Sequence, residues 1–290
     1  MAKFGEYKKE ELEHLQSVLV SMVKDFNDIC KKHNINYFVM DGTAIGAVRH
    51  ENIIPWDDDV DIRMLREDYE KLEKVISKEC DGKYYIVDYT TDNTYPYLFK
   101  KICLNNTRFT LETEYELGSN FGIFIDLYIM EYVPDDEITR NKVLKRAWYY
   151  QHVGILALFK KPIILFKGIK GTFVKIACVI IHYFLKLFRI NAFKCYSKAE
   201  RILINSVDGK TNTVAFPFDT LPLTNVVFVS DIFPLKKKKF GNTYVMLPKE
   251  YDKLLRQQFG DYMKLPKVED RKNHHPKILD FDTSSKKKGK

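Results

Sequence analysis

A chain of 290 residues with 45% hydrophobic and 14% aromatic content is long and apolar enough for one large domain or two small ones, which excludes general disorder. Its 13 Gly and 10 Pro, without a repeat, exclude collagen-like and low-complexity classes, and 47 Lys and Arg against 39 Asp and Glu leave a net charge of +8. Five singly spaced cysteines with no Cys-x-x-Cys pair read as free thiols of a reducing compartment, not as a disulfide frame or zinc site.

Residues 1–13 are polar and lack the apolar core of a signal peptide, so a cytoplasmic location is expected. Leu12, Leu15, Leu19, Met22, Phe26 and Ile29 share one stripe of a helix ending near His33. Ile35–Met40 reads as a strand, and a short helix Ala44–Arg49 follows, capped by Thr43. After a loop at Asn52–Trp56 come a strand at Val60–Met64 and a helix at Glu67–Glu79. Tyr84–Tyr89, Tyr97–Leu104 and Gly122–Met130 are aromatic and β-branched, and read as strands. Farther on, Val214–Phe216 and Val226–Val229 look extended, and Phe233–Leu247 reads as a hairpin turned at Gly241-Asn242. Pro248 opens a last helix through Gln258, closed by Gly260. The fold class is thus α/β (α+β), with a core at 1–135, a basic helical region at 136–200, a C-terminal part at 201–282 that completes the core, and a disordered basic tail at 283–290.

Charge is distributed unevenly. From Ile138 to Ala199 there is no Asp or Glu but there are thirteen Lys or Arg, interleaved with Leu, Ile, Val and Phe clusters. Such a composition fits interfacial amphipathic helices on anionic lipid, or a buried helical subdomain with solvated lysines. Nucleic acid is disfavoured, because aliphatic runs separate the lysines and no nucleic-acid motif is present. No stretch reaches the roughly 18 uncharged apolar residues that span a bilayer.

The most informative segment is Asp41-Gly42-Thr43 through Ile54-Pro55-Trp56-Asp57-Asp58-Asp59-Val60-Asp61-Ile62. Asp57, Asp59 and Asp61 alternate, so on an extended chain their carboxylates share one face. Such crowding fits a hard cation, Mg²⁺ or Mn²⁺, which keeps positions open for substrate phosphates. A solvated acidic loop or a calcium loop is the competing reading, opposed by the apolar flanks Ile53, Ile54, Val60 and Ile62. Asp126, in the apolar run Gly122–Tyr128, needs a cation or hydrogen-bond donor and is a fourth candidate ligand. Gly42-Thr43 at a helix start can present N–H groups to a phosphate. Arg49 and His50 are phosphate contacts or simply surface residues.

The run GTAIGAVRHENIIPWDDDVDI, with FGIFIDLY downstream and FGDYMKLP then RKNHHP near the end, closely resembles the LicD family of phosphotransferases, distant relatives of the fukutin-related proteins. The likeness reaches from Tyr37 to Pro276 and departs at the long basic insertion near 150–195. It implies a nucleotidyltransferase-like mixed-sheet core in which Gly42-Thr43, Asp59 and Asp61, and Asp126 match the family's turn and acids. It also implies transfer of a substituted phosphate, most often phosphocholine from CDP-choline, to a sugar hydroxyl of a teichoic acid or other cell-surface glycan, with release of CMP. Asp59, Asp61 and Asp126 then carry catalysis, joined by Asp57 as metal ligands. Gly42, Thr43, Arg49, His50, Arg271, His274 and His275 are candidates for donor contacts. A lipid-linked acceptor would place the enzyme at the inner face of the membrane as a peripheral protein. Competing readings are a nucleotidyltransferase that moves NMP to a small molecule, RNA or protein, and a non-enzymatic membrane-associated module.

Overall fold

The computed structural model describes residues 7–80, 82–162 and 168–283. The expected basic tail lies outside the described residues except for Thr283, as do Ile163–Lys167 of the basic block and the first six residues. In chain order the elements are helix α1 (Lys9–Lys32), strand β1 (Phe38–Val39), helix α2 (Asp41–Arg49), strand β2 (Asp61–Leu65), helix α3 (Arg66–Glu79), strands β3 (Tyr84–Val87), β4 (Lys100–Leu104) and β5 (Arg108–Thr110), helix α4 (Glu112–Glu116) and strand β6 (Phe124–Val133). Helices α5 (Glu137–Leu158), α6 (Gly168–Leu187) and α7 (Ala192–Ile204) follow, then strands β7 (Thr213–Ala215) and β8 (Val226–Phe228) and helix α8 (Val229–Ile232). Strands β9 (Lys236–Phe240) and β10 (Thr243–Leu247), helix α9 (Tyr251–Phe259) and strand β11 (Ile278–Asp280) complete the chain. The expected α+β class is the one observed.

The chain divides into two compact units, the first of residues 1–88, 99–130 and 227–290, the second of 89–98 and 131–226. In the first, the sheet runs β1-β2-β6-β4-β3, with β2 and β6 parallel and the other neighbours antiparallel. Ile62–Leu65 and Phe124–Leu127 are buried without alternation, as in strands covered on both faces. Helix α1 buries Leu15, Leu19, Met22 and Phe26, the stripe its spacing predicts. It packs on β10, where the Asn27 amide donates to the Tyr244 carbonyl at 2.5 Å and its oxygen accepts from the Tyr37 hydroxyl. The β9–β10 hairpin turns at Gly241-Asn242 as expected, pairing Phe240 with Thr243. Helix α9 begins at Tyr251, three residues after Pro248, and ends at Gly260, whose φ of 66° is open to glycine.

One local expectation is corrected at α2. The helix starts at Asp41 with no side-chain cap, so Thr43 lies inside its first turn. The Thr43 hydroxyl accepts instead from the Asp61 amide at 2.9 Å and so ties α2 to the start of β2. The loop between them is pressed on both sides. A Cβ on Gly46 would stand 2.5 Å from the Asn52 carbonyl oxygen. The Gln16 amide of α1 donates to the carbonyls of Ile54 at 3.1 Å and Asp57 at 2.8 Å.

In the second unit, Glu131–Val133 of β6 pair antiparallel with β7. Helices α5 and α7 pack closely at Gly154, where a Cβ would meet the Tyr196 ring at 2.4 Å. Tyr196 is fully buried and donates to the Pro96 carbonyl at 2.8 Å. Helix α6 lies against α5, where His182 Nδ1 donates to the Leu156 carbonyl at 2.8 Å. By length and average composition α6 is long and apolar enough to cross a membrane, although lysines interrupt its apolar run.

Replacing Gly46 by Ala forces the 50–54 loop off α2 and should lower stability by about 1–3 kcal/mol in urea denaturation. An unchanged midpoint would show that this contact does not hold the loop.

Candidate active site

The site is set by strand register. Parallel pairing places Asp61 of β2 opposite Asp126 of β6, and the antiparallel pairing of β6 with β4 places Lys101 opposite Asp126 on its other side. Asp59 approaches from the loop, so Asp59, Asp61 and Asp126 each bring one carboxylate oxygen to within 4.8 Å of the others. Burial, then the charges of Asp59 and Asp126, push the Asp61 carboxyl well above its usual range. Burial and Asp59 push Asp126 up to about 7 against the pull of Lys101. Burial likewise raises Asp59. Lys101 does not satisfy Asp126: its ammonium donates to buried Glu114 at 3.0 Å and stands 3.9 Å from Asp126 Oδ1. Asp61 Oδ1 and Asp126 Oδ1 are buried with no hydrogen-bond partner. Two orphaned buried oxygens inside a trio of oxygen donors are the chemistry that a divalent cation satisfies, so the residues fit Mg²⁺ or Mn²⁺.

Asp57 stands outside this trio. Regular strand geometry begins only at Asp61, so alternation does not carry Asp57 onto the shared point. Its carboxyl, raised by burial, then by Asp59 and Asp58, occupies the space that Gly42 leaves open, since a Cβ there would lie 3.0 Å from Asp57 Oδ2.

Asp58 was not singled out from the sequence, yet its side chain is fully buried and accepts four kinds of bond. Donors are the Tyr7 hydroxyl at 2.7 Å, the backbone amides of His274 and His275 at 2.9 Å each, and His274 Nδ1 at 3.1 Å. Burial opposes its ionisation, but His274 and Tyr7 hold the carboxyl below the usual range. His274, half exposed at its side chain, is in turn held above its ordinary value against the cost of partial burial by Asp58 and Asp59. Its Nδ1 also lies 3.3 Å from Asp59 Oδ2. Strand β11 pins this segment by pairing with β5, Ile278 opposite Thr110. The signal for Asp58 was available: a carboxylate flanked by the apolar residues Ile53, Ile54, Val60 and Ile62 needs donors.

A second cluster is cationic. The guanidinium of Arg271 lies 4.4 Å from the Trp56 ring centroid and that of Arg49 lies 5.9 Å from it. Burial, then the charge of Arg271, lowers the Arg49 pKa. Arg49 donates to the Tyr262 carbonyl at 2.6 Å and to His50 Nε2 at 2.9 Å, and burial, then the charge of Arg49, lowers the His50 pKa. Arg271 Nε is buried without a hydrogen-bond partner. The His275 ring rests edge-on against Tyr7, 4.8 Å between centroids. Arg49 and Arg271, far apart in sequence, thus share Trp56, whereas His274 and His275 act first as holders of Asp58.

Asp58→Asn weakens charge-assisted bonds to the 274–275 amides and should cost about 2–3 kcal/mol. Hydrogen exchange should rise at 271–283 before it rises elsewhere. Unchanged protection there would show that Asp58 does not anchor the segment.

Residues 34–155 match the family model described as LicD/FKTN/FKRP, nucleotidyltransferase domain. That span holds the acidic trio, while Arg271, His274 and His275 lie beyond it. Over most of its length the chain is similar to the lipopolysaccharide cholinephosphotransferase LicD of Haemophilus influenzae, 27% identical over 284 residues that cover 92% of this chain and 97% of that protein. A shorter similarity is to an uncharacterized protein of Rickettsia prowazekii, 38% identical over 87 residues, 30% of this chain and 31% of that one. The acids, the strands that pair them and the matched span agree: residues 34–155 are similar to the nucleotidyltransferase domain of the LicD family.

Proposed function

We propose that the protein is a metal-dependent phosphotransferase that moves phosphocholine from CDP-choline onto a sugar hydroxyl of a cell-surface glycan, releasing CMP. The observation that carries this reading is the convergence of Asp59, Asp61 and Asp126 with two oxygens left unpartnered. The similarity over 92% of the chain to a cholinephosphotransferase supports phosphocholine as the cargo. That relative's name states a lipopolysaccharide substrate; here the acceptor is a lipid-linked glycan or teichoic acid precursor.

Asp59, Asp61 and Asp126 hold Mg²⁺ or Mn²⁺, which when bound neutralises pyrophosphate charge and polarises the phosphoryl oxygens. Arg49 and Arg271, braced on Trp56, bind the donor's phosphate oxygens, and the buried Arg271 Nε–H gains an acceptor there. His274 adds positive charge beside Asp59. The acceptor hydroxyl attacks the distal phosphorus in line as the bond to CMP breaks, so the protein's work is positioning and charge neutralisation.

The test is CMP release from CDP-choline, CDP-ribitol, CDP-glycerol and CTP, with Mg²⁺ and with EDTA. Metal-dependent CMP from CDP-choline is expected. Pyrophosphate from CTP would move the assignment to nucleotidyl transfer. Asp59→Asn and Asp61→Asn should each lower turnover at least about 10³-fold. Because burial and neighbouring acids raise the Asp61 pKa, its charged form destabilises the fold near neutral pH; Asp61→Asn should therefore raise the unfolding midpoint in EDTA. Arg271→Gln should raise the donor KM about 10- to 100-fold with a smaller effect on kcat.

A further inference from the structure

Helix α6 is built the wrong way round for a water-soluble surface. Gly171, Cys178 and His182 face inward, and the hydrogen bond from His182 to the Leu156 carbonyl fixes the helix rotation. On the opposite side Ile169, Phe173, Ile176, Ile180, Phe184 and Leu187 recur at three- and four-residue spacing, each between 52% and 78% exposed. A surface helix normally turns such a stripe to the core. Lys170, Lys175 and Lys186 are exposed on the flanks of this stripe, and Phe188 and Arg189 extend it past the helix end.

What covers the stripe is indicated by charge. Lys170, Lys175 and Lys186 flank the ridge and the stretch Ile138–Ala199 contains no acidic residue, so any occupant must tolerate positive charge beside an apolar ridge. An acid-free, lysine-flanked ridge is complementary to a bilayer whose headgroups are anionic and whose acyl region takes the Phe, Ile and Leu side chains. An interfacial seating keeps His182 on the Leu156 carbonyl of α5, a bond that crossing the bilayer would break. We propose that the outward face of α6 is a docking surface for an anionic lipid bilayer, with the helix seated parallel to the membrane plane. The proposal stands apart from the assigned chemistry, since none of its residues belongs to the acidic trio or the arginine pair.

The test is flotation of the full chain with vesicles of phosphatidylcholine alone and of phosphatidylcholine mixed with phosphatidylglycerol. Binding to the mixed vesicles, weakened by salt, is expected. Phe173→Ser/Ile180→Ser/Phe184→Ser should lower that binding at least about tenfold. These side chains point away from α5, so circular dichroism and CMP release should be retained. Lys175→Gln/Lys186→Gln leaves the ridge intact and should lose about fivefold per charge on anionic vesicles only. Absence of flotation, or equal binding to both vesicle types, would overturn the proposal. Resistance to alkaline carbonate extraction would replace it with a spanning helix. A dimer in light scattering that the triple serine variant dissolves would assign the face to a second copy of the chain.

Discussion

The parallel pairing of β2 with β6 puts Asp61 directly beside Asp126 inside a buried sheet, and much of the first unit answers to that repulsion. Like charges at this distance in a low-dielectric setting are costly, and the structure does not cancel them internally. The nearest buried ammonium, Lys101, is hydrogen-bonded to Glu114. Tyr7 and the 274–275 amides are spent on Asp58. His274 Nδ1 reaches Asp59 at 3.3 Å, but Asp61 Oδ1 and Asp126 Oδ1 are left without a hydrogen-bond donor, which preserves a negative hole for something that arrives from outside. Thr43, Gln16 and Gly46 serve this arrangement by holding the loop that delivers Asp59.

The acidic cluster was legible because its residues lie close in sequence and their alternation is a local property. Asp126 was legible for a different reason: a lone carboxylate in an apolar strand has to be explained. The face taken by Asp57 was not legible, because the rule of alternating faces applies to extended strands and Asp57 lies in the irregular loop before β2. The role of Asp58 and the sharing of Trp56 by Arg49 and Arg271 depend on contacts more than two hundred residues apart, as the separation of 216 between Asp58 and His274 shows. No periodicity encodes such contacts. The three-residue strands β5 and β11 escaped for the same reason: each is defined by its partner and not by its own pattern.

The second unit illustrates the limit of hydropathy counting. In α6 the same lysines that break the apolar run also mark the edges of its outward face, and only the rotation set by His182 tells the inner stripe from the outer one. The seating of α5 on α7 is by contrast governed by one close approach, Gly154 against the ring of Tyr196.

The Asp58 anchor has a consequence for the order of events during synthesis. The acids emerge from the ribosome early, but the amides that neutralise Asp58 follow 216 residues later. At translation speeds of about 5–20 residues per second the interval is roughly 10–40 s. For that time the nascent chain exposes a run of four aspartates without the backbone groups that separate Asp58 from its neighbours. The Asp58 anchor, unlike the pairing of Asp61 with Asp126, therefore cannot form until the 274–275 segment has left the ribosome.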